Sequence, residues 1–147
     1  MNKNIIDVVK VKMIRDKKVS YKSITAPNIA AEIAGKLIQN DLQEHMILFC
    51  LDTRNHINAA RVLSIGTENA CLVSPREIIR TALLSASISC LLVHNHPSGN
   101  TAPSDEDISV TMKIQKGLDL VDIKLLDHVI INNISNDYFS MSEKGIL

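Results

Sequence analysis

Two histidines and a carboxylate stand close enough in the sequence to form a metal site. His94 and His96 follow an apolar run two positions apart, and Asp107 comes after a turn-like segment. In an extended strand, residues two apart lie on the same face, so both imidazoles can reach one ion. Two imidazoles and one carboxylate, with a fourth position left for water, are the typical ligands of a catalytic zinc ion. The spacing therefore indicates a catalytic metal site.

Each of these residues also has an ordinary structural explanation. A histidine at the end of a strand is commonly a surface residue or a hydrogen-bonded core residue. Ser104 and Asp107 have the S-x-x-D spacing of a helix N-terminus, which explains both without a metal. Pro97-Ser98-Gly99 taken alone is a turn. The residues by themselves leave two interpretations open, a metal site or a strand end followed by a capped helix.

Strand-like and helix-like segments alternate along the chain, which predicts one α/β domain with a mixed sheet and helices on its faces. Apolar residues at every fourth position after Pro27 predict a first helix, and Ser74-Pro75-Arg76-Glu77 has the capping-box pattern that begins a second. A third helix is predicted from Ser104 to Gly117. The predicted strands are Val8–Ile14, Met46–Leu51, Ile57–Ile65, Ile88–Val93, Val121–Ile131 and Tyr138–Met141.

The composition indicates a single domain in a reducing compartment. The chain has 147 residues, of which 46% are apolar, and this suffices for one domain with its own core. The apolar runs are too short to span a bilayer and the N-terminus lacks a signal-peptide pattern, which predicts a cytoplasmic protein with no membrane partner. Three cysteines without a C-x-x-C pair favour neither a disulfide framework nor a cysteine zinc finger.

Charge is balanced overall but not along the chain. Sixteen basic side chains match sixteen acidic ones, yet residues 1–22 hold seven of the former and two of the latter. We interpret 1–22 as a basic N-terminal strand or arm and 23–147 as the domain. The lysines of this arm alternate with apolar residues, as on the solvent face of an edge strand. Zero net charge and only two Tyr and two Phe argue against direct nucleic-acid binding.

The motif around the histidines resembles that of a known enzyme family. His-x-His, seven residues, Ser, two residues and Asp is similar to the JAMM motif of MPN-domain zinc metallohydrolases, and H-N-H-P-S-G followed by P-S-x-x-D resembles the bacterial RadC family. Further segments that resemble the family occur along the chain in family order, at Leu51-Asp52-Thr53, Ser64-Ile65-Gly66-Thr67, Ser74-Pro75-Arg76-Glu77 and Leu126-Asp127-His128. The resemblance covers roughly residues 20–147. It implies a single MPN domain, JAB-like and cytidine-deaminase-like, in a short stand-alone form.

The resemblance also implies roles for individual residues. It makes His94, His96 and Asp107 the ligands of a Zn2+ ion, and it makes Ser104 the residue that helps to hold the oxyanion formed at the attacked carbonyl. The implied reaction is hydrolysis of a peptide or isopeptide bond. Neither the peptide or protein substrate nor the oligomeric state follows from the sequence.

One residue of the family pattern is missing from its expected place. JAMM enzymes use an upstream glutamate as general base, which in RadC-like sequences we expect on the strand just before Gly66-Thr67. That strand contains Ala59–Leu63 and no carboxylate. Glu44 and Glu68 lie elsewhere, and the capping box explains Glu77.

Three functions therefore compete. The complete ligand and serine set favours a zinc hydrolase, whereas the missing glutamate favours a non-catalytic MPN-like zinc-binding interaction module. The third is a factor associated with DNA repair, a label that RadC proteins have long had. Asp127-His128 leaves a smaller question open, because it could orient a metal ligand or form a satisfied buried pair. We favour the buried pair.

Overall fold

The computed structural model describes residues 23–38, 43–65 and 73–147, together with positions 10, 12 and 14. The elements follow one another as α1 (Pro27–Leu37), β1 (Glu44–Leu51), β2 (Ile57–Ile65), α2 (Pro75–Leu84), β3 (Ser89–Asn95), α3 (Asp105–Asp119), β4 (Lys124–Ile131) and β5 (Tyr138–Ser140). No helix in these described ranges has the length and the apolar content to cross a membrane.

The five strands form one mixed sheet in the order β2-β1-β3-β4-β5. β3 lies at its centre, antiparallel to β1 and parallel to β4. All seven residues of β3 are buried, as a nearly continuous apolar run predicts for a strand covered on both faces. The predicted α/β class, with a mixed sheet and helices on its faces, is confirmed.

Helices cover both faces of this sheet. On one face, α1 places Ile33 in a core that includes Val93 of β3. On the other face, α3 places Ile114 in a second core that includes Leu92 of β3. Alternate residues of each central strand therefore enter different cores, which is the period-two geometry of an extended chain. Any side chain of β3 with the parity of Leu92 must point toward α2 and α3.

The predicted capping box at the start of α2 is wrong. Ser74 occupies the N-cap position, but its side chain makes no capping hydrogen bond. The Glu77 carboxylate instead pairs with Arg61 of β2 and with Arg80, each at 3.0 Å. Two guanidinium partners hold that carboxylate more strongly than one backbone N–H would. The S-x-x-E spacing marked the helix start correctly but not the bonds at that start.

The N-terminal predictions lie almost wholly outside the described residues. Of the predicted strand Val8–Ile14, only Lys10, Lys12 and Ile14 are described, and all three are exposed. The strand and the basic arm over 1–22 stay predictions.

Cys50 and Cys90 face each other across β1 and β3 as free, buried thiols.

The central strand should dominate the stability of the domain. Leu92→Ala removes a fully buried side chain from the core against α2 and α3 and should lower the free energy of unfolding by about 2–5 kcal/mol. Leu120→Ala is the control, because Leu120 is 88% exposed just after α3. Urea denaturation followed by circular dichroism measures both. Equal losses in the two variants would contradict the assignment of Leu92 to the core.

Candidate metal centre

Three elements meet at one edge of the sheet, where the chemistry-bearing residues lie. Because β1 is antiparallel to β3, the first residues of β1 lie beside the last residues of β3, and Met46 pairs with His94. Two positions farther along the same face are Glu44 at the start of β1 and His96 just after β3. The first turn of α3 supplies Asp107 to the same place.

Four side chains converge there. The candidate ligand atoms of Glu44, His94, His96 and Asp107 all lie within 4.8 Å of one another, and within the described ranges this is the only such group. Asp107 Oδ1 is 3.4 Å from His94 Nε2, and Asp107 Oδ2 is 3.3 Å from His96 Nε2. The two Nε2 atoms are 2.8 Å apart. Two imidazoles and two carboxylates in this arrangement can hold a metal ion.

Glu44 is the fourth member of this group, although its place in the sequence did not match the expected one. Its Oε1 lies 3.9 Å from His94 Nε2, farther than Asp107, and its side chain is 29% exposed where that of Asp107 is 5% exposed. Glu44 is thus at the open rim of the group. A glutamate does accompany the ligand set, but it comes from the start of β1 and not from the strand before Gly66-Thr67, where one was expected.

β2, where the glutamate was expected, is not next to the site. β1 separates β2 from β3 in the sheet. Arg61, in the middle of the expected stretch, pairs with Leu48, and its guanidinium donates to Thr81 of α2 at 2.9 Å. A carboxylate at position 61 would face α2 and not the histidines. Glu68, the other candidate, lies outside the described residues.

Asp107 serves the helix and the site together. Its Oδ2 accepts the Ser104 N–H at 2.8 Å, and its own N–H donates to Ser104 Oγ at 3.1 Å, which completes a capping box. The two interpretations of this segment are therefore compatible, because the capping carboxylate also contacts both histidines. The Ser104 hydroxyl is used as an acceptor here, so its proton can go to another acceptor.

The charges in this group stabilise one another. Burial raises the pKa of the Asp107 carboxyl, but hydrogen bonds with His94 and His96 outweigh burial and hold that pKa well below its ordinary value. The hydrogen bond with Asp107 in turn raises the pKa of His96 above its usual value. Asp107 is therefore ionised, and a proton and a metal ion compete for the same His96 nitrogen.

A backbone carbonyl sets the tautomer of His96. His96 Nδ1 lies 2.7 Å from the carbonyl oxygen of Asn100. A carbonyl oxygen can only accept, so Nδ1 must hold a proton. In the neutral ring, Nε2 then has its lone pair free and directed at His94 and Asp107. This is the form that a metal-ligating histidine requires.

A longer chain of hydrogen bonds sets the tautomer of His94. Thr111 Oγ1 donates its proton to the Asp107 carbonyl at 2.5 Å, so Oγ1 must accept from His128 Nδ1 at 2.6 Å. Complete burial lowers the pKa of His128, which keeps its ring neutral and makes Nε2 an acceptor. His94 Nδ1 therefore donates to His128 Nε2 at 2.7 Å. When the His94 ring is neutral, Nε2 is then the nitrogen without a proton, and it faces the site.

Asp127 and His128 therefore have different partners and different roles. His128 contacts His94 directly, so the favoured interpretation as a mere buried pair does not hold for it. Asp127 accepts hydrogen bonds from Ser140 and Ser142 at the end of the chain, at 2.5 and 2.9 Å. The sequence identified His128 as a candidate. It gave no signal for Thr111, whose role depends on α3 packing over β4.

Comparison with known proteins points to one family. Residues 24–146 match the family model described as the RadC-like JAB domain. A UPF0758 protein of Shouchella clausii is 39% identical over 131 residues, which cover 89% of this chain and 56% of that protein. A UPF0758 protein of Methanococcoides burtonii is 47% identical over 105 residues, covering 71% of this chain and 45% of that protein. The chain thus spans about half the length of these relatives.

The hydroxyl of Thr111 should matter for metal affinity. Thr111→Val removes the acceptor that fixes the His128 ring and through it His94, so the affinity for a metal ion, with zinc as the probe, should fall by about 10–100-fold. Thr81→Val is the matched control, since Thr81 makes the same bond to the carbonyl four residues earlier, in α2 and away from the site. Competition with a chromophoric chelator measures the affinity. Wild-type affinity in Thr111→Val would contradict the hydrogen-bond chain.

Proposed function

The chain belongs to the RadC family of JAB-domain proteins, and on that premise we propose that it is a zinc-dependent hydrolase of peptide or isopeptide bonds. The observation that supports this most is the carboxylate of Glu44 at the rim of a group that already has three donors. A binding module needs the three donors alone. A hydrolase needs a further base beside the water that attacks the substrate.

The donor set fits zinc. Nitrogen and oxygen ligands bind zinc at about 2.0–2.2 Å, and the edges of a tetrahedron of that size are about 3.3–3.6 Å long. The distances from the two Asp107 oxygens to the histidine nitrogens, 3.4 and 3.3 Å, lie in that range, whereas the 2.8 Å between the two histidine nitrogens is shorter and has to lengthen when zinc binds. We assign His94, His96 and Asp107 as the zinc ligands, which leaves a fourth position for water or substrate.

The proposed mechanism divides the work among the side chains of this edge. A bound zinc ion supplies Lewis acidity, which makes water more acidic and polarises a substrate carbonyl. Glu44 accepts the proton of the attacking water and passes it to the leaving amine. The Ser104 hydroxyl donates to the oxyanion that forms at the carbonyl carbon. His128 and Thr111 keep His94 in the tautomer that the reaction needs.

The competing functions have less support. The non-catalytic interaction module was favoured by the missing base, and the position of Glu44 removes that reason. A role beside a DNA-repair protein has no feature of the described residues in its favour.

Free, buried thiols at Cys50 and Cys90 support the proposed cytoplasmic location, because thiols persist in a reducing compartment.

Zinc should bind with a stoichiometry near one per chain and serve function rather than folding. His94→Ala/His96→Ala should abolish stoichiometric binding, as measured by metal analysis of the purified protein. Because both cores form without any ligand residue at their centre, excess chelator should leave the far-UV circular dichroism unchanged. Zinc retained by the double variant would refute the site. A random-coil spectrum in excess chelator would refute the expectation that the domain folds without zinc.

Glu44→Gln should lower kcat by about 10²–10⁴-fold, because it removes the base and leaves the zinc ligands in place. Zinc content should remain that of the wild type. Glu106→Gln is the control, an exposed glutamate in the first turn of α3 outside the group. The assay uses a fluorogenic peptide library and substrates with an amide at a lysine side chain. Undiminished hydrolysis by Glu44→Gln would show that another residue is the base.

A further inference from the structure

We propose that Asn95 is a positioning residue whose side-chain amide fixes the backbone on both sides of Glu44 and thereby holds that carboxylate at the site. This inference deepens the proposed hydrolase function and rests on it. Asn95 lies between the two candidate histidine ligands in the sequence. Its side chain turns away from them and binds the neighbouring strand.

The side chain of Asn95 makes two hydrogen bonds to the chain at β1. Its Oδ1 accepts the N–H of His45 at 2.8 Å, and its Nδ2 donates to the carbonyl of Gln43 at 3.0 Å. These two backbone groups flank Glu44 immediately before and after. The β1–β3 pairing itself ends at Met46 and His94. The amide therefore continues the attachment of β1 to β3 beyond the last backbone pair.

The Asn95 amide, which we call the clamp, and the Glu44 carboxylate lie on opposite faces of the sheet. Leu91 and Val93 of β3 belong to the core under α1, and alternation places Asn95 on that same face. Glu44 shares the face of Met46, which belongs to the core under α2 and α3. The backbone is thus gripped from one side while the Glu44 side chain projects from the other. Such a clamp fixes the carboxylate without contacting substrate or metal.

The chemistry of an amide suits this place better than that of any residue of similar size. One donor and one acceptor are required side by side, and Asn supplies both where Asp supplies acceptors only and Leu supplies neither. Asn95 is 1% exposed, so neither group could be satisfied by solvent instead. A glutamate base gains its effect from placement within hydrogen-bond reach of its proton donor, so a loose backbone lowers the rate.

The expected effect of removing the clamp is a fall in kcat with KM unchanged. Asn95→Leu should lower kcat by about 10–100-fold, the usual effect of losing a residue that orients a functional group. Asn95→Asp keeps the acceptor for His45 and, once ionised, has no donor for Gln43. Its kcat, measured at a pH where the carboxylate is ionised, should lie between those of the wild type and Asn95→Leu. Asn58→Leu is the matched control, because Asn58 lies on β2, away from the site, and its amide donates to the carbonyl of Ser85 at the end of α2.

A double-mutant cycle tests whether Asn95 acts through Glu44. In the Glu44→Gln background, Asn95→Leu should cause no further loss of kcat, because there is no base left to position. Losses that multiply would overturn the proposal, as would wild-type kcat in Asn95→Leu. If circular dichroism shows that Asn95→Leu is unfolded, the kcat of Asn95→Asp is the test instead. A wild-type kcat in Asn95→Asp then overturns the proposal.

A readout without substrate separates this inference from the proposed function. The side-chain carboxyl 13C resonance of Glu44 should shift when zinc alone is added to the wild type, and it should shift less in Asn95→Leu. The His45 amide should exchange its hydrogen faster in the same variant. If the wild type hydrolyses nothing, the hydrolase proposal fails. The Glu44 resonance and the His45 amide exchange still test whether Asn95 positions Glu44. An unchanged Glu44 response in Asn95→Leu overturns the clamp even in an active enzyme.

Discussion

The antiparallel register between β1 and β3 is the constraint on which the candidate metal centre depends. Pairing of Met46 with His94 puts Glu44 on the face of the histidines, at the level of His96. A slip of one residue would move Glu44 to the face of α1 and take its carboxylate away from the histidines. The apolar residues on both faces of the two strands oppose such a slip, because it would exchange the two cores. Core packing thus fixes the distance between two polar groups at the edge.

The N-terminal cap of α3 also belongs to the candidate site. Asp107 completes the helix N-terminus with Ser104 and contacts both histidines with the same two oxygens. Its capping bond holds the carboxylate before any ion arrives, so the site does not depend on a metal to order it. This is why we expect chelation to leave the fold intact, and it explains how a helix cap and a metal ligand can share one motif.

Buried polar groups around the site are satisfied in directed chains. The chain from the Asp107 carbonyl through Thr111 and His128 ends at His94, and the Asn100 carbonyl does the same for His96. An unsatisfied group in such a place costs about 1–3 kcal/mol, so each chain selects one protonation pattern. In the neutral rings both patterns put the proton on Nδ1 and turn Nε2 toward Asp107. The protein interior thereby prepares the donors that the proposed function requires.

The sequence alone determined the local parts of this protein, namely the α/β order of elements, the two histidines on one strand face and the helix start that presents Asp107. These follow from period-two and helix-cap geometry within a few residues. Only the tertiary structure decided that Glu44 joins the histidines, that Thr111 contacts His128 and that Asn95 binds the chain on both sides of Glu44. The hydrogen bond between His45 and Asn95 joins residues 50 positions apart, and no local pattern encodes which strand positions will meet. That choice is made when two cores pack on opposite faces of one sheet, since only one register buries both.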